Sequence, residues 1–257
     1  MLNHYVQADQ SEQTHRLHLA YLYPEQMNVY GDRGNVIALA QRCAWRGIAL
    51  QVTPIQPGDQ VDWPQFDLAF FGGGQDSGQG LIAADLLERQ GSGLRAAIED
   101  GLVMLAICGG YQLLGHYFLT HTGEKLAGLG ALDVYTVGGK QRLIGNVVVA
   151  VELDGMPVRL VGFENHSGRT HHGPGVRPFG RVLVGYGDND DRRAGGAVYR
   201  NCFGCYLHGS LLPKNPQLTD HLIRLALQRR YGMETFPAPL DSDLELKAQR
   251  AMLDRLG

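Results

Sequence analysis

With 257 residues and 44% hydrophobic content, the chain is long enough to bury a sizeable core in one large domain. A net charge of −3, with no Lys/Arg block beyond a pair such as Arg229-Arg230, excludes a nucleic-acid footprint or a polybasic membrane anchor, and no apolar run approaches the ~18 residues of a membrane span. Four cysteines at this length do not make a disulfide framework, so a reducing cytoplasm is the natural setting.

The polar opening "MLNHYVQADQSEQTHR" has no apolar signal core, so residues 1–16 read as a disordered or loosely attached lead-in. Residues 17–257 read as a single domain. Short β-rich runs follow at Leu17–Tyr23, Ala49–Ile55, Phe66–Phe71 and Leu102–Ile107. Between them Asn35–Gly47 and Leu81–Gly101 carry helical periodicity, the second with a break at Gly91-Ser92-Gly93. This alternation predicts an α/β fold, a parallel sheet covered by helices on both faces. Later runs at Asn146–Leu153, Met156–Asn165, Arg181–Gly187, Gly196–Asn201 and Phe203–Gly209 predict antiparallel or mixed strands that extend or flank that sheet. Two helices, Pro216–Tyr231 and Asp241–Leu256, close the chain, with the breaker "METFPAPL" between them.

One stretch carries chemistry: "LVMLAICGGYQLLG", Leu102–Gly115. Cys108 sits at the carboxyl end of an apolar strand, where sites form in parallel sheets. Gly109 and Gly110 permit a tight strand-to-helix turn that exposes a nucleophile. They also open a helix, whose unpaired N–H groups favour thiolate over thiol and supply donors for an oxyanion. The alternative is a small buried hydrophobe, the common role of a free Cys. A second Gly-rich turn, "FFGGGQDSGQG", follows the Phe66–Phe71 strand and is placed to complete the oxyanion hole. It matches neither a P-loop nor a dinucleotide fingerprint.

A thiol nucleophile needs a base. His208, in "YLHGSLLPKNP", lies at a late strand end. His166, His171 and His172 fall in the polar stretch "ENHSGRTHHGPG" and read as loop residues at a surface or rim, from which one could approach the site; His116 reads as a packed residue on the helix after Cys108. His4, His15, His18, His121 and His221 have no supporting context. Cys202, Cys205 and His208 form C-x-x-C-x-x-H, but strand geometry points the two cysteines to opposite faces and no second ligand pair follows, so no metal site is expected.

"AICGGYQLLG" and "YLHG" together resemble class I glutamine amidotransferases, in the Cys-Gly-Gly-Tyr-Gln form of the cobyric acid synthase-like (CobB/CobQ) branch. "YLYPEQMNVYGDRGNVIAL", "GFENHSGRT" and "YLHGSLLPKNP" narrow the resemblance to glutaminase subunits of lipid II isoglutaminyl synthases, over about Leu17–Tyr231. The resemblance implies a three-layer, flavodoxin-like α/β fold with a mostly parallel central sheet and an antiparallel or mixed C-terminal extension. It implies that Cys108 attacks the glutamine carboxamide and that His208 shuttles the proton. It assigns the oxyanion to Gly109 and Gly73 and glutamine binding to Arg142 and Gln112. Many class I members carry His-x-Glu; here the text is His208-Gly209-Ser210. Glu164 is one candidate to orient His208, and a carboxylate from a partner subunit is another. The "YGDRGN" block either lines the site, meets the partner, or caps a helix through Asp32 or Asn35.

The resemblance further implies no cofactor in this chain. ATP and Mg²⁺ are expected on a Mur-ligase-like partner of the MurT type, which would take the ammonia and amidate the D-glutamate α-carboxyl of lipid II. Lipid II would be met through that partner, with no direct membrane insertion. The alternatives are an amidotransferase of the cobyrinic or cobyric acid synthase type acting on another acceptor, and a non-catalytic binding module with the same fold.

Overall fold

The computed structural model describes residues 15–28, 31–191, 193–233 and 239–256. Most of the expected lead-in therefore lies outside the described residues, but His15 and Arg16 already belong to the first strand. That strand, β1 (His15–Leu22), is followed by β2 (Ile48–Ile55), β3 (Leu68–Phe71) and β4 (Val103–Ile107). β3 and β4 are apolar throughout and wholly buried, as a parallel strand covered on both faces must be. They form a seven-stranded sheet in the order β2-β1-β3-β4-β12-β11-β9, where β9 is Arg177–Pro178, β11 is Ala197–Tyr199 and β12 is Cys202–Cys205. The first five strands in that order are parallel; β11 runs antiparallel to both of its neighbours, β12 and β9.

Register decides what the sheet presents. Leu22 pairs with Phe71, Phe71 with Ala106, and Ile107 with Cys205. The carboxyl ends of β1, β3, β4 and β12 thus finish level, and the chain leaves all four toward one edge.

Helices cover this sheet. α1 (Arg33–Ala44), α5 (Leu211–Lys214) and α6 (Pro216–Tyr231) pack on one another, and α6 meets β4; α2 (Asp76–Asp85) and α4 (Gly109–Leu114) form a second group, with α4 against β4. α3 (Gly91–Glu99) and α7 (Asp243–Leu256) complete the set. The break expected at Gly91-Ser92-Gly93 lies earlier, as a π-helical turn over Leu86–Gln90. Gly93 sits inside α3 because the Trp63 ring packs there: a Cβ would lie 2.5 Å from its Cδ1. Among the described residues no helix is long and apolar enough to cross a membrane.

The later strands do not simply extend the sheet. β11 and β12 rejoin it, with β12 parallel to β4 near its centre, whereas β5 (Tyr117–Leu119), β6 (Lys125–Ala127), β7 (Val134–Leu153), β8 (Met156–His172) and β10 (Arg181–Val184) build a second, five-stranded sheet. Its spine is the β7–β8 hairpin, closed by Asp154 and Gly155 at φ 53° and 75°. β7 begins twelve residues before the expected Asn146, and β8 continues to His172, so "ENHSGRTHH" is strand rather than loop.

Candidate active site

Cys108 occupies the turn between β4 and α4 at φ 50°, ψ −104°, a conformation costing a non-glycine residue about 1–3 kcal/mol. The turn is over-determined. Cys108 donates its N–H to Cys205 O at 2.8 Å, and its carbonyl accepts from Gln112 N at 2.9 Å. The following glycine is required by close approach: a Cβ at Gly110 would lie 2.7 Å from Phe71 O and 2.9 Å from Gly72 O, while the Gly110 N–H donates to Gly72 O at 3.1 Å. The start of α4 is thereby pressed on the turn after β3.

His208 reaches the same edge from β12. Its backbone exchanges two hydrogen bonds with Phe163 of β8, at 2.7 and 3.2 Å, tying the two sheets together. The imidazole is fully buried, and its Nδ1 lies 3.4 Å from Asp32 Oδ1. Burial is the largest single influence on its pKa and opposes charge. The Cys108 thiolate, a hydrogen bond with Asp32, a hydrogen bond with Cys108 and the charge of Asp32 outweigh it, and the imidazole is pushed up to about 10. The other thiols are shut away: burial pushes Cys43 and Cys202 up to about 12 and raises Cys205 further. Among the described residues no group of three or more His, Cys, Asp or Glu side chains is placed to hold a metal ion.

Asp32 settles the open reading of "YGDRGN". Its side chain does not cap α1, and neither does that of Asn35, which accepts from Leu212 N at 2.8 Å. The Asp32 carboxylate, fully buried, points into the site, where Oδ2 accepts the Gly73 N–H at 2.7 Å. This corrects the assignment of Gly73 to an oxyanion hole, because its amide is already engaged. Gly74 is the neighbour that faces the start of α4, with its N 3.0 Å from where a Gly109 Cβ would lie. Among the described residues the Gly74 and Gly109 N–H groups have no acceptor.

Glu164 is likewise corrected as the orienter of His208. Its carboxylate accepts the Tyr186 N–H at 2.7 Å and the Gly187 N–H at 3.0 Å, and it lies 3.7 Å from Nε2 of His166. The carboxylate facing His208 is that of Asp32.

Cys108 and His208 open on a cavity of about 450 Å³, a size suited to a small ligand. Gly74, Gln75, Gln79 and Gln112 line it from the main sheet's side, and Gly139, Lys140, Arg142, Asn165, His166 and Ser167 from the hairpin, with His121 beside them. Arg142 is at this wall, where Nε donates to Asn165 Oδ1 at 2.8 Å and Nη2 to Asn165 O at 2.9 Å. Gln112 is buried; it accepts from Gln79 Nε2 at 3.0 Å and donates to Tyr206 Oη at 3.1 Å.

Several wall residues were not singled out as site residues by the sequence reading, among them Gln75, Gln79, His121, Lys140 and Ser167. Gln79 and His121 carry no local signal; His166, read as a rim residue that could approach the site, is the histidine of its stretch that lines the cavity, turned inward by the period-2 burial of β8. Instead of lying in a rim loop, His166 is buried, stacked on Tyr206 with centroids 3.6 Å apart, and its Nδ1 donates to Gly168 O at 2.8 Å. His172 pairs with the buried Asp188 at 2.7 Å, and His171 stacks on Tyr135. His116 is not packed in α4, which ends at Leu114; it is exposed and bonded to Asp133 at 2.8 Å.

Residues 18–216 match the CobB/CobQ-like glutamine amidotransferase domain. The chain is 40% identical to the GatD subunit of lipid II isoglutaminyl synthase (glutamine-hydrolyzing) from Staphylococcus aureus strain N315, over 94% of this chain and 96% of that protein. It is 38% identical to the GatD subunit from Streptococcus pneumoniae strain R6, over 86% and 84%. A cobyric acid synthase from Brucella anthropi is 37% identical over 45% of this chain and 23% of that protein. Among solved structures, a chain of PurLQS from Thermotoga maritima superposes with a TM-score of 0.58 at 18% identity, covering 82% of this chain and 98% of that one. A T. maritima glutamine amidotransferase gives 0.53 at 15% identity, over 93% and 92%; both share the fold. The chain belongs to the CobB/CobQ-like glutamine amidotransferase family.

Proposed function

We propose that this chain is the glutaminase subunit of a lipid II isoglutaminyl synthase. It hydrolyses L-glutamine to glutamate and ammonia through a Cys108 thioester. The observation that carries the reading is a cysteine held at a strained strand-to-helix turn, opening on a small cavity beside a buried imidazole.

The chemistry follows from the placement. His208 holds the proton that Cys108 gives up, and Sγ attacks the side-chain carbonyl carbon of glutamine. The oxyanion is met by the N–H groups of Gly109 and Gly74, which have no acceptor of their own among the described residues. The C–N bond breaks as the imidazolium returns its proton to the departing amine, and ammonia leaves. Water, deprotonated by the imidazole, attacks the thioester; the C–S bond breaks, glutamate forms and the thiol is restored. Arg142, with Lys140 beside it, supplies the cationic wall for the glutamine α-carboxylate. Gln112, with one partner at each end of its amide, holds the cavity floor in shape.

Ammonia released into water is protonated and lost as a nucleophile, so the activity needs an acceptor enzyme. The near full-length similarity to GatD subunits supports a Mur-ligase-like partner of the MurT type. That partner would bind ATP and Mg²⁺, activate the D-glutamate α-carboxyl of lipid II, and form the α-amide in the cytoplasm.

The test is glutamate release from glutamine by the co-purified pair, read with D-glutamate amidation of lipid II. Cys108→Ala should lower release at least about a thousandfold, while Cys43→Ala, in a buried thiol of α1, should leave it near the parent's. The reverse ranking would refute the assignment. Glutamate release without lipid II amidation would reassign the acceptor.

A further inference from the structure

Tyr111 lies in the first turn of α4, three positions after Cys108, and its side chain does not line the cavity. The ring passes over Gly204 of β12, where it leaves no room for a Cβ, and meets Tyr206 edge-on with centroids 5.5 Å apart. Beyond the strand its hydroxyl donates to Asp188 Oδ2 at 2.9 Å. The same oxygen accepts from Nε2 of His172 at 2.7 Å, while Oδ1 has no partner among the described residues. Tyr111 and Asp188 are buried. A carboxylate buried with one orphaned oxygen costs stability that an apolar side chain would not. Burial raises Asp188 above the usual carboxylate range, against the hydrogen bond from His172.

β8 holds Asp188 at three places. Glu164 takes the N–H groups of Tyr186 and Gly187 just before it, Thr170 donates its N–H to Asp188 O at 2.8 Å, and His172 closes on the carboxylate. β8 is also the strand whose Phe163 exchanges backbone hydrogen bonds with His208. One strand thus grips the helix that follows Cys108 from its carboxyl end and the His208 segment from its middle.

We propose that Tyr111, Asp188 and His172 form a latch that fixes the first turn of α4 to β8, so that this strand gauges the separation of Cys108 and His208. All three are positioning residues, since none lines the cavity. The proposal deepens the glutaminase reading and rests on it. Gly204 belongs to the device, because the tyrosine crosses β12 only where that strand lacks a side chain.

The test uses the co-purified pair and compares Tyr111→Phe, which keeps the ring and removes the hydroxyl, with Asp188→Asn and with both together. Each single change should lower kcat for glutamate release about tenfold while KM for glutamine moves less than about threefold. The double change should also lie near about tenfold, not the roughly hundredfold of independent sites. Arg42→Ala, which cuts ion pairs joining α1 to α6 and α7, is the control for lost stability, and its kcat should stay within about twofold of the parent's. Heteronuclear NMR of the unmodified pair adds an arm that no folding defect reaches: Nε2 of His172 should carry a proton, held in the bond to Asp188. A bare Nε2, a parent-like kcat in Tyr111→Phe, additive losses in the double variant, or an equal fall in Arg42→Ala would overturn the latch. A parent pair that alkylates at Cys108 but releases no glutamate would instead overturn the glutaminase reading. Iodoacetamide rates would then read the latch: Tyr111→Phe should react about threefold more slowly, and an unchanged rate would sink it.

Discussion

Cys108 combines a strained backbone with a side chain that lines the cavity. Its imidazole neighbour keeps its charge through neutrality and loses it as pH rises through about 10, because the thiolate and Asp32 raise it above the ordinary 6.5. Replacing His208 with Gln removes that counter-charge. Cys108 alkylation at pH 6–7 should then fall at least about tenfold. Iodoacetamide rates across that range check this. A parallel prediction concerns Arg142, at the cavity wall: Arg142→Ala should raise KM for glutamine about tenfold or more with a smaller change in kcat, since a carboxylate clamp acts on ground and transition states alike. At this scale Cys108 and His208 were legible, because an apolar strand ending in Cys-Gly-Gly and a histidine closing a late strand are local signals. Asp32 was not identified as the facing carboxylate, because its partners lie in the turn after β3 and the segment after β12, and its sequence neighbours suggest only a helix cap.

Glycines show which elements depend on contact and which on propensity. Gly110 opens α4 against the backbone carbonyls of Phe71 and Gly72. Gly110→Ala should destabilise the protein by about 1–3 kcal/mol through overpacking and lower glutaminase activity with it. Gly80, exposed inside α2 with nothing within 4 Å of its would-be Cβ, is the opposite case; Gly80→Ala should stabilise by about 0.5–1 kcal/mol. Urea midpoints of both variants check the pair. The β7–β8 hairpin was the least legible element. Between Gly138↔Gly168 and Leu143↔His166, β7 takes five steps while β8 takes two. This bulge switches the alternating buried set of β7 from Val134 and Thr136 to Leu143, Val147, Val149, Val151 and Leu153, with Val148 buried as well. An alternation that changes phase across "VGGKQRLIG" looks like a loop, and the bulge that hides the strand also carries Gly139, Lys140 and Arg142 to the cavity.

For the whole molecule, the parallel half of the main sheet was readable because strand–helix alternation is written along the chain. The return of β12 to lie beside β4 was not, since that pairing spans about a hundred residues and leaves no periodic mark. The docking of the last helix was equally hidden. Arg42 of α1, almost fully buried, donates to both Asp220 oxygens at 2.7 and 2.8 Å, to Glu245 at 3.2 Å and to Ser242 Oγ at 3.0 Å, joining α1, α6 and α7. Arg42→Ala strands a partly buried carboxylate that, among the described residues, keeps Arg46 as its ion-pair partner. A loss of about 2–3 kcal/mol is expected, with hydrogen-exchange protection falling first in α7.

The paired backbone bonds between Phe163 and His208 join the hairpin directly to the segment after β12. They act as a rivet between a long lever and a short one. Tilting the hairpin would drag His208 with it, so under the proposed chemistry the angle of that lever would act as a throttle at Cys108, and whatever leaned on the hairpin would set its pace without touching a reacting atom.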